Sequence, residues 1–194
     1  MKCQKERGGM ANSEPNLIAP ARMVFFMWLI FTVNNIVQIE LTNFGILPRN
    51  WWGLIGIVTA PYLHGSLDHL ISNTVPLLIL GGVLYYFYAA IASAVFYTCY
   101  FLTNILVWLF ARPNIHIGAS GLIYGFAAFL ITYGIVKKDL KSIIISLITV
   151  FLYGGMIYGV LPVNYMMSWE SHFFGALSGI LIAVRLGRRK EKAY

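Results

Sequence analysis

The stretch between Asp68 and Arg112 constrains the fold of this chain most strongly, because it contains no Asp, Glu, Lys or Arg. It is about twice as long as the ~20 apolar residues that a helix needs to cross a bilayer. The rest of the chain is also apolar: 59% of the 194 residues are hydrophobic and the mean hydropathy is +0.73, whereas soluble domains are about half apolar. The sequence therefore predicts an all-α polytopic membrane protein.

Six segments of helix length are apolar enough to predict transmembrane helices. A turn near residues 82–90 is expected to divide the long uncharged stretch into two of them. Residues 41–62 are half apolar but are interrupted by glycines and prolines. Irregular backbone at membrane depth must be buried against protein or reach water, so this segment is predicted to be a partly immersed outer loop. The predicted spans are residues 23–39, 67–86, 89–110, 120–136, 140–158 and 171–186.

The cationic side chains predict the orientation, because loops rich in Lys and Arg stay in the cytoplasm. With six spans, only Arg49 and Arg112 fall on the outer side, where Trp51, Trp52 and Trp169 fit an aromatic belt. Both termini are therefore predicted to be cytoplasmic. Twelve of the 14 cations fall on the inner side, and they are Lys2, Lys5, Arg7, Arg22, Lys137, Lys138, Lys141, Arg185, Arg188, Arg189, Lys190 and Lys192.

The net charge of +7 does not predict a nucleic-acid partner. A basic groove needs cations along one soluble face, whereas these cations flank apolar segments. We expect two short cytoplasmic tails, residues 1–20 and 188–194, around one membrane domain of residues 21–187. The partner that the composition predicts is the lipid bilayer.

Several polar side chains are predicted to share one depth in the membrane. The second, fourth and sixth spans all run from outside to inside, and they begin beside His64 and His69, at Ser120, and beside His172. Ionisable side chains within a membrane are costly and mark functional sites. The sequence therefore predicts a polar site just below the outer surface.

Ser120 is the candidate nucleophile, because its small neighbours in a Gly-Ala-Ser-Gly motif leave the hydroxyl accessible. A serine needs a base within hydrogen-bond reach, and His172 is the best candidate. Gly175 and Gly179 lie on the same helical face as His172. Small residues let transmembrane helices approach closely, so Ser120 and His172 are expected to meet. Taken alone, Ser120 has an alternative role in packing or capping a helix, and His172 in anchoring a loop.

His69 and Asn73 are spaced to project from one face of the second span. Both side chains donate hydrogen bonds, which suits an oxyanion hole; the alternative for Asn73 is a hydrogen bond between helices. Tyr124 lies one turn after Ser120, so its ring is placed to pack on the imidazole, or else in the core. His64 and His116 are predicted to anchor outer loops beside the site. Four further amides are interpreted as contacts between helices: Asn34, Asn35, Gln38 and Asn104.

Three motifs together resemble the rhomboid family over about residues 53–183. They are His64-x4-His69-x3-Asn73, then Gly118-Ala119-Ser120-Gly121 with Tyr124, then His172-x2-Gly175-x3-Gly179. The resemblance implies the basic six-helix form of an intramembrane serine protease, with Ser120 and His172 as a catalytic dyad. It implies that His69 and Asn73 stabilise the oxyanion, that Tyr124 stacks on the base, and that His64 is structural. It further implies single-pass membrane substrates, no metal and no cofactor. From the predicted orientation we expect the site to open to the outer side of the membrane, which we expect to be the plasma membrane of a prokaryote.

Other intramembrane enzymes require residues that this sequence does not contain in the right places. A metalloprotease needs a motif such as H-E-x-x-H, which is absent from the sequence, and Asp68 and Asp139 fall at opposite edges of the predicted spans. A transporter would need a path of charged groups through the spans. The alternative that stays open is an inactive rhomboid relative that binds and escorts transmembrane clients.

Overall fold

The computed structural model describes residues 16–162 and 167–188 of the chain. Within these two ranges the regular structure consists of seven α-helices and short 3₁₀ turns, with no β-strand. The helices are α1 (Ile18–Val37), α2 (Gly56–Thr59), α3 (Leu67–Phe87), α4 (Ala89–Phe110), α5 (Ser120–Lys137), α6 (Leu140–Tyr153) and α7 (Trp169–Gly187). The all-helical class predicted from composition is confirmed.

Helix α5 is the centre of the bundle. It packs against α3, α4, α6 and most extensively against α7, while α1 packs on the outside of α3. The core around it is formed by large aliphatic and aromatic side chains, including Met27, Leu77, Leu84, Phe126 and Phe129. The end of the bundle at which α3, α5 and α7 begin is called the upper end below.

The helix ends are fixed by side chains near the turns. Ser66 caps α3, since its hydroxyl oxygen accepts a hydrogen bond from the His69 backbone N–H at 3.1 Å. Asp139 caps α6 by accepting from the Ser142 N–H at 3.0 Å. Between α3 and α4 the helical path breaks at Tyr88, within the predicted range 82–90. Lys141 donates to the Phe87 carbonyl oxygen at 2.8 Å, which ties this turn to α6.

The loop between α1 and α3 is held against α4 by its backbone carbonyls. The Tyr100 hydroxyl donates to the Val58 carbonyl, the Asn104 amide donates to Ile57 at 3.0 Å, and the Trp108 indole N–H donates to Asn50 at 3.0 Å. Trp51 and Trp52, in contrast, are more than 80% exposed. The loop consists of α2 and three short 3₁₀ turns, which agrees with the prediction that residues 41–62 do not form a span.

Five helical segments within the described residues are long and apolar enough to cross a membrane: α1, α3, α4, α5, and α6 with its extension to Val160. The sixth predicted segment is a helix, but Glu170, His172 and Arg185 make α7 less apolar than the others. The two largest differences from the predicted boundaries are that α1 begins at Ile18 rather than at residue 23, and that α6 changes to a 3₁₀ segment, Gly154–Val160.

The prediction that four amides join helices is wrong for Asn34 and Asn35. Asn34 accepts a hydrogen bond from the Leu41 backbone N–H at 2.9 Å, and Asn35 donates to Phe31 of its own helix at 2.7 Å. Gln38 is the left-handed residue that ends α1. The side chains of Asn34 and Asn35 therefore bond within α1 or to the turn that follows it. Asn104 joins two helices, α4 and α2.

Candidate active site

Helices α5 and α7 are in backbone contact at the upper end. A β-carbon added at Gly175 would lie 2.1 Å from the Gly121 carbonyl oxygen, and one at Gly179 would lie 2.1 Å from the Gly125 carbonyl oxygen. No side chain fits at either position without moving a helix. The structure thus has the close helix pair that the small-residue spacing predicts, and this contact brings the start of α7 beside the start of α5.

Ser120 and His172 meet at this contact. The Ser120 Oγ lies 2.9 Å from His172 Nε2, which is hydrogen-bond distance. His172 is 4% exposed, whereas Ser120 is only half-buried. The imidazole is therefore shielded, whereas Ser120 keeps part of its surface exposed.

The second nitrogen of His172 contacts a residue that sequence reasoning missed. His172 Nδ1 lies 2.9 Å from the Gly159 carbonyl oxygen. Because a carbonyl only accepts, Nδ1 must carry the hydrogen. In the neutral ring Nε2 is then the acceptor, so the Ser120 hydroxyl donates to it. Gly159 thus selects the tautomer that a general base requires.

Gly159 belongs to the 3₁₀ segment Gly154–Val160, which contacts the site through this residue. A β-carbon at residue 159 would lie 1.9 Å from the Tyr124 hydroxyl oxygen and 3.2 Å from His172 Nδ1. Only glycine fits there. The sequence signal that could have indicated this contact is the presence of three glycines, at 154, 155 and 159, within six residues. The apolar composition of the segment instead suggested an ordinary end of a span.

The Tyr124 ring stacks on the His172 ring. The ring centroids are 4.1 Å apart and the planes differ by 5°. Parallel stacking restricts rotation of the imidazole about its own side-chain bonds. Of the two roles weighed for Tyr124 from the sequence, the structure places its ring at the imidazole.

His69 lies against the backbone just before Ser120. Gly118 has φ +102°, and a β-carbon there would lie 2.6 Å from His69 Nε2. This left-handed conformation favours glycine, and it turns the chain from the loop into α5. The Gly118 N–H donates to the Ala60 carbonyl oxygen at 2.9 Å, which fixes the turn against the loop.

The Asn73 side chain is 3% exposed and lies one turn below His69. Its Nδ2 donates to the His69 carbonyl oxygen at 2.7 Å. One of its two amide hydrogens is thereby used within α3. Its second hydrogen is the one that an external acceptor would use.

His64 packs beside His69 at the upper end. The ring centroids are 4.9 Å apart, and His64 Nδ1 lies 3.4 Å from the Tyr62 carbonyl oxygen. His64 is 3% exposed, and burial lowers its pKa to about 4, with the neighbouring His69 as the next cause. His64 is therefore neutral at pH 7, where it packs between the loop and α3.

A chain of polar groups anchors the start of α7 to the loop before α5. His116 Nε2 lies 3.0 Å from the Arg112 carbonyl oxygen and therefore donates to it. His116 Nδ1 then accepts from the Ser168 hydroxyl at 2.6 Å, and Ser168 accepts from Ser171 at 2.6 Å. His116 thus anchors a loop, as predicted. The roles of Ser168 and Ser171, next to His172, were not predicted.

The region that contains these residues is similar to a known protein family. The family model described as Rhomboid domain matches residues 48–189. The chain belongs to the rhomboid family. An uncharacterized protein of Mycobacterium tuberculosis and one of Mycobacterium bovis are each 34% identical to it over 181 residues, covering 88% of this chain and 75% of the relative. An uncharacterized protein of Mycobacterium leprae is 33% identical over 214 residues, covering 97% and 82%.

The rhomboid match includes every candidate site residue, since all of them lie between His64 and Gly179. Together with the five long apolar helical segments, it shows that this rhomboid protein is an integral membrane protein. Its relatives named above come from bacteria. The Ser120–His172 pair lies at the upper end of the rhomboid domain.

Proposed function

We propose that this rhomboid protein is an intramembrane serine endopeptidase that cleaves single-pass membrane proteins within or near their transmembrane helix. The observation that carries the proposal is the 2.9 Å contact between Ser120 Oγ and His172 Nε2. The hydrogen bond from Nδ1 to Gly159 supports it, because it leaves Nε2 free to accept the serine proton.

In the proposed reaction, His172 Nε2 takes the Ser120 proton while Oγ attacks the substrate carbonyl carbon. The tetrahedral intermediate collapses when the protonated imidazole gives its hydrogen to the leaving amine. Water then attacks the acyl-enzyme, with His172 again removing and returning a proton. The free acid and Ser120 are regenerated, and no metal or cofactor takes part.

The proposed oxyanion donors come from two helices, α3 and α5. The Ser120 backbone N–H is in the first turn of α5, where helix N–H groups have no helical acceptor and the dipole is positive. The His69 ring lies against Gly118, and Asn73 retains one amide hydrogen after its bond to His69. Removing one such donor from a serine protease costs about 3–4 kcal/mol of barrier.

The proposed membrane arrangement has six spans, with α7 as the sixth. Helix α7 packs along α5 and α4, and Glu170 in its first turn is buried in the bundle. Arg185 is exposed in the last turn, where a long cationic side chain can extend to the headgroups. Both termini would be cytoplasmic, and Ser120 would open to the outer side of the plasma membrane of a prokaryote. The domain would comprise residues 21–187, between tails of which residues 1–15 and 189–194 lie outside the described residues.

The test is cleavage of a single-pass model substrate by purified protein in detergent. We expect Ser120→Ala and His172→Ala each to abolish cleavage, whereas Ser72→Ala, which removes a hydroxyl bonded within α3, should retain it. A fluorophosphonate probe should label Ser120 only while His172 is present. Cleavage that survives Ser120→Ala would contradict the proposal.

The same experiment distinguishes a protease from an inactive rhomboid relative. A rhomboid protein that only binds and escorts clients would retain the substrate without cutting it, and the probe would not label Ser120. Labelling of Ser66, Ser72 or Ser171 in place of Ser120 would contradict the assignment of the nucleophile while leaving an enzyme.

A further inference from the structure

A pocket lies at the upper end, on the side of α7 that faces away from α5. It has a volume of about 580 Å³ between the end of α4 and the start of α7. Two arginines and a glutamate contribute its charged groups. The pocket is lined by Arg49, Phe110, Ala111, Arg112, Trp169, Glu170, Phe173 and Phe174.

The charges of the pocket do not cancel. Arg112 Nε lies 3.1 Å from Glu170 Oε1, so these two form an ion pair. Arg49 makes no ion pair within the described residues, which leaves the three groups with a formal net charge of +1. One monovalent anion would balance the pocket.

Arg49 has donors to offer such an anion. Its Nη1 donates to the Leu109 carbonyl oxygen at 3.2 Å and to the Ala111 carbonyl oxygen at 2.8 Å, which fixes the guanidinium at the end of α4. An arginine carries five N–H donors. The Nε and Nη2 hydrogens have no acceptor in the part of the chain that the structure describes. Arg49 is therefore held rigidly while part of its fork faces outward.

The remaining lining is aromatic. Phe110 is 66% exposed and Phe173 is 45% exposed, while Phe174 packs between them, with ring centroids 6.1 Å from Phe110 and 5.4 Å from Phe173. In an integral membrane protein, phenylalanine side chains exposed on helices favour contact with acyl chains. The pocket thus combines an unbalanced cation with an exposed apolar surface.

We propose that this pocket binds the phosphodiester of a phospholipid from the leaflet at the upper end. Arg49 is the main contact to the phosphate, and the aromatic side chains cover the first part of the acyl chains. Arginine suits this role because its planar fork matches phosphate oxygens. The proposal does not depend on the proposed protease activity, since no atom of the Ser120–His172 pair lines the pocket.

The test is site-specific photocrosslinking of the full chain in a maltoside detergent, which contains no phosphate. A benzophenone amino acid replaces Phe110, and tagged phosphatidylglycerol is compared with tagged diacylglycerol that has the same acyl chains. We expect at least 10-fold more crosslinking to the phospholipid. The same photoreactive residue at Val75, exposed on α3 and away from the pocket, should show a ratio near one.

Variants then assign the contact. Arg49→Gln should lower the ratio at position 110 to that at position 75, whereas Arg188→Gln, which removes an arginine after the last turn of α7, should leave it unchanged. Equal crosslinking of the two lipids, or a ratio unaffected by Arg49→Gln, would overturn the proposal. Displacement of the lipid by an equal concentration of glycerophosphate would also overturn it, since the site would then take a free anion.

Arg49→Gln also loses the contacts to the end of α4, so a loss of binding in this variant could reflect misfolding. A second variant that is expected to bind more lipid provides a test without this ambiguity. Glu170→Gln removes the negative charge of the pocket. We expect it to raise phosphatidylglycerol crosslinking several-fold at subsaturating lipid. A misfolded variant cannot produce that increase, and an unchanged or lower yield would count against the proposed charge balance.

Discussion

His172 is constrained on three sides. Its Nε2 faces Ser120 Oγ, its Nδ1 faces the Gly159 carbonyl oxygen, and its ring lies 4.1 Å from that of Tyr124. In the proposed mechanism the backbone carbonyl does what the aspartate does in a Ser-His-Asp triad, since it holds the tautomer and the orientation of the ring. A carbonyl carries no charge, however, so it stabilises the imidazolium less than a carboxylate would.

Gly159→Ala tests this arrangement at the scale of one residue. The added β-carbon would overlap the Tyr124 hydroxyl, so the carbonyl or the stacked ring has to move away from His172. We expect cleavage to fall at least about 10-fold, because general-base catalysis contributes roughly 10²–10⁴. The measurement is the initial rate on the model substrate.

Gly155→Ala is the matched control, because nothing lies within 4 Å of a β-carbon at that position. It should cleave at the wild-type rate. Equal losses in both variants would indicate that the 3₁₀ segment tolerates no substitution, and they would argue against a specific role for Gly159.

At the scale of elements, the α5–α7 pair positions the site. Gly175 and Gly179 have no side chains, and this lets the Gly121 and Gly125 carbonyl oxygens approach the backbone of α7. In membranes such contacts are stabilised by close van der Waals packing rather than by expulsion of water. The pair also fixes the distance between Ser120 and His172, since each residue lies in the first turn of its helix.

Gly179→Ala should destabilise the bundle by about 1–3 kcal/mol, the usual cost of an overpacked core. Gly82→Ala in α3 is the comparison, because a β-carbon there meets open space and alanine favours a helix by about 1 kcal/mol over glycine. Thermal unfolding in detergent measures both. A Gly179→Ala variant as stable as Gly82→Ala would contradict the backbone contact.

Elements with a sharp change in polarity could be predicted from the sequence, and others could not. The start of α5 at Ser120 and both ends of α4 agree with the prediction. Helix α1 begins before the predicted start, because Arg22 lies within the helix and Pro20 fits its first turn. The change from α6 to a 3₁₀ segment leaves the apolar composition unaltered, so it was missed.

In the site, too, some features could be predicted from the sequence and others could not. Ser120 and His172 could be found because their residue types carry the chemistry, and their meeting could be inferred from glycine spacing. The Gly159 carbonyl could not, because every residue has one and only the fold decides where it points. The hydroxyl chain from Ser171 through Ser168 to His116 likewise depends on two loops that meet only in three dimensions.

At the scale of the whole molecule, the charge distribution predicts an orientation that can be measured. Asn114 is exposed beyond the upper end, and Arg188 is exposed after the last turn of α7. In a Cys3→Ser background, with Cys99 buried, an impermeant maleimide should label Asn114→Cys on intact cells. It should label Arg188→Cys only after lysis. Labelling of Arg188→Cys on intact cells would reverse the proposed topology.

The Gly159 carbonyl also has a genetic consequence. A substitution cannot delete a backbone acceptor, so inactivating alleles at this position would act through the volume of the added side chain. Alleles at Ser120 or His172 would instead remove a reacting group of the proposed mechanism. A smaller side chain nearby can make room for the added volume. Intragenic suppressors of a Gly159 allele should therefore fall at Tyr124, whose hydroxyl lies where the new β-carbon would be. Alleles of the two reacting residues have no such suppressor.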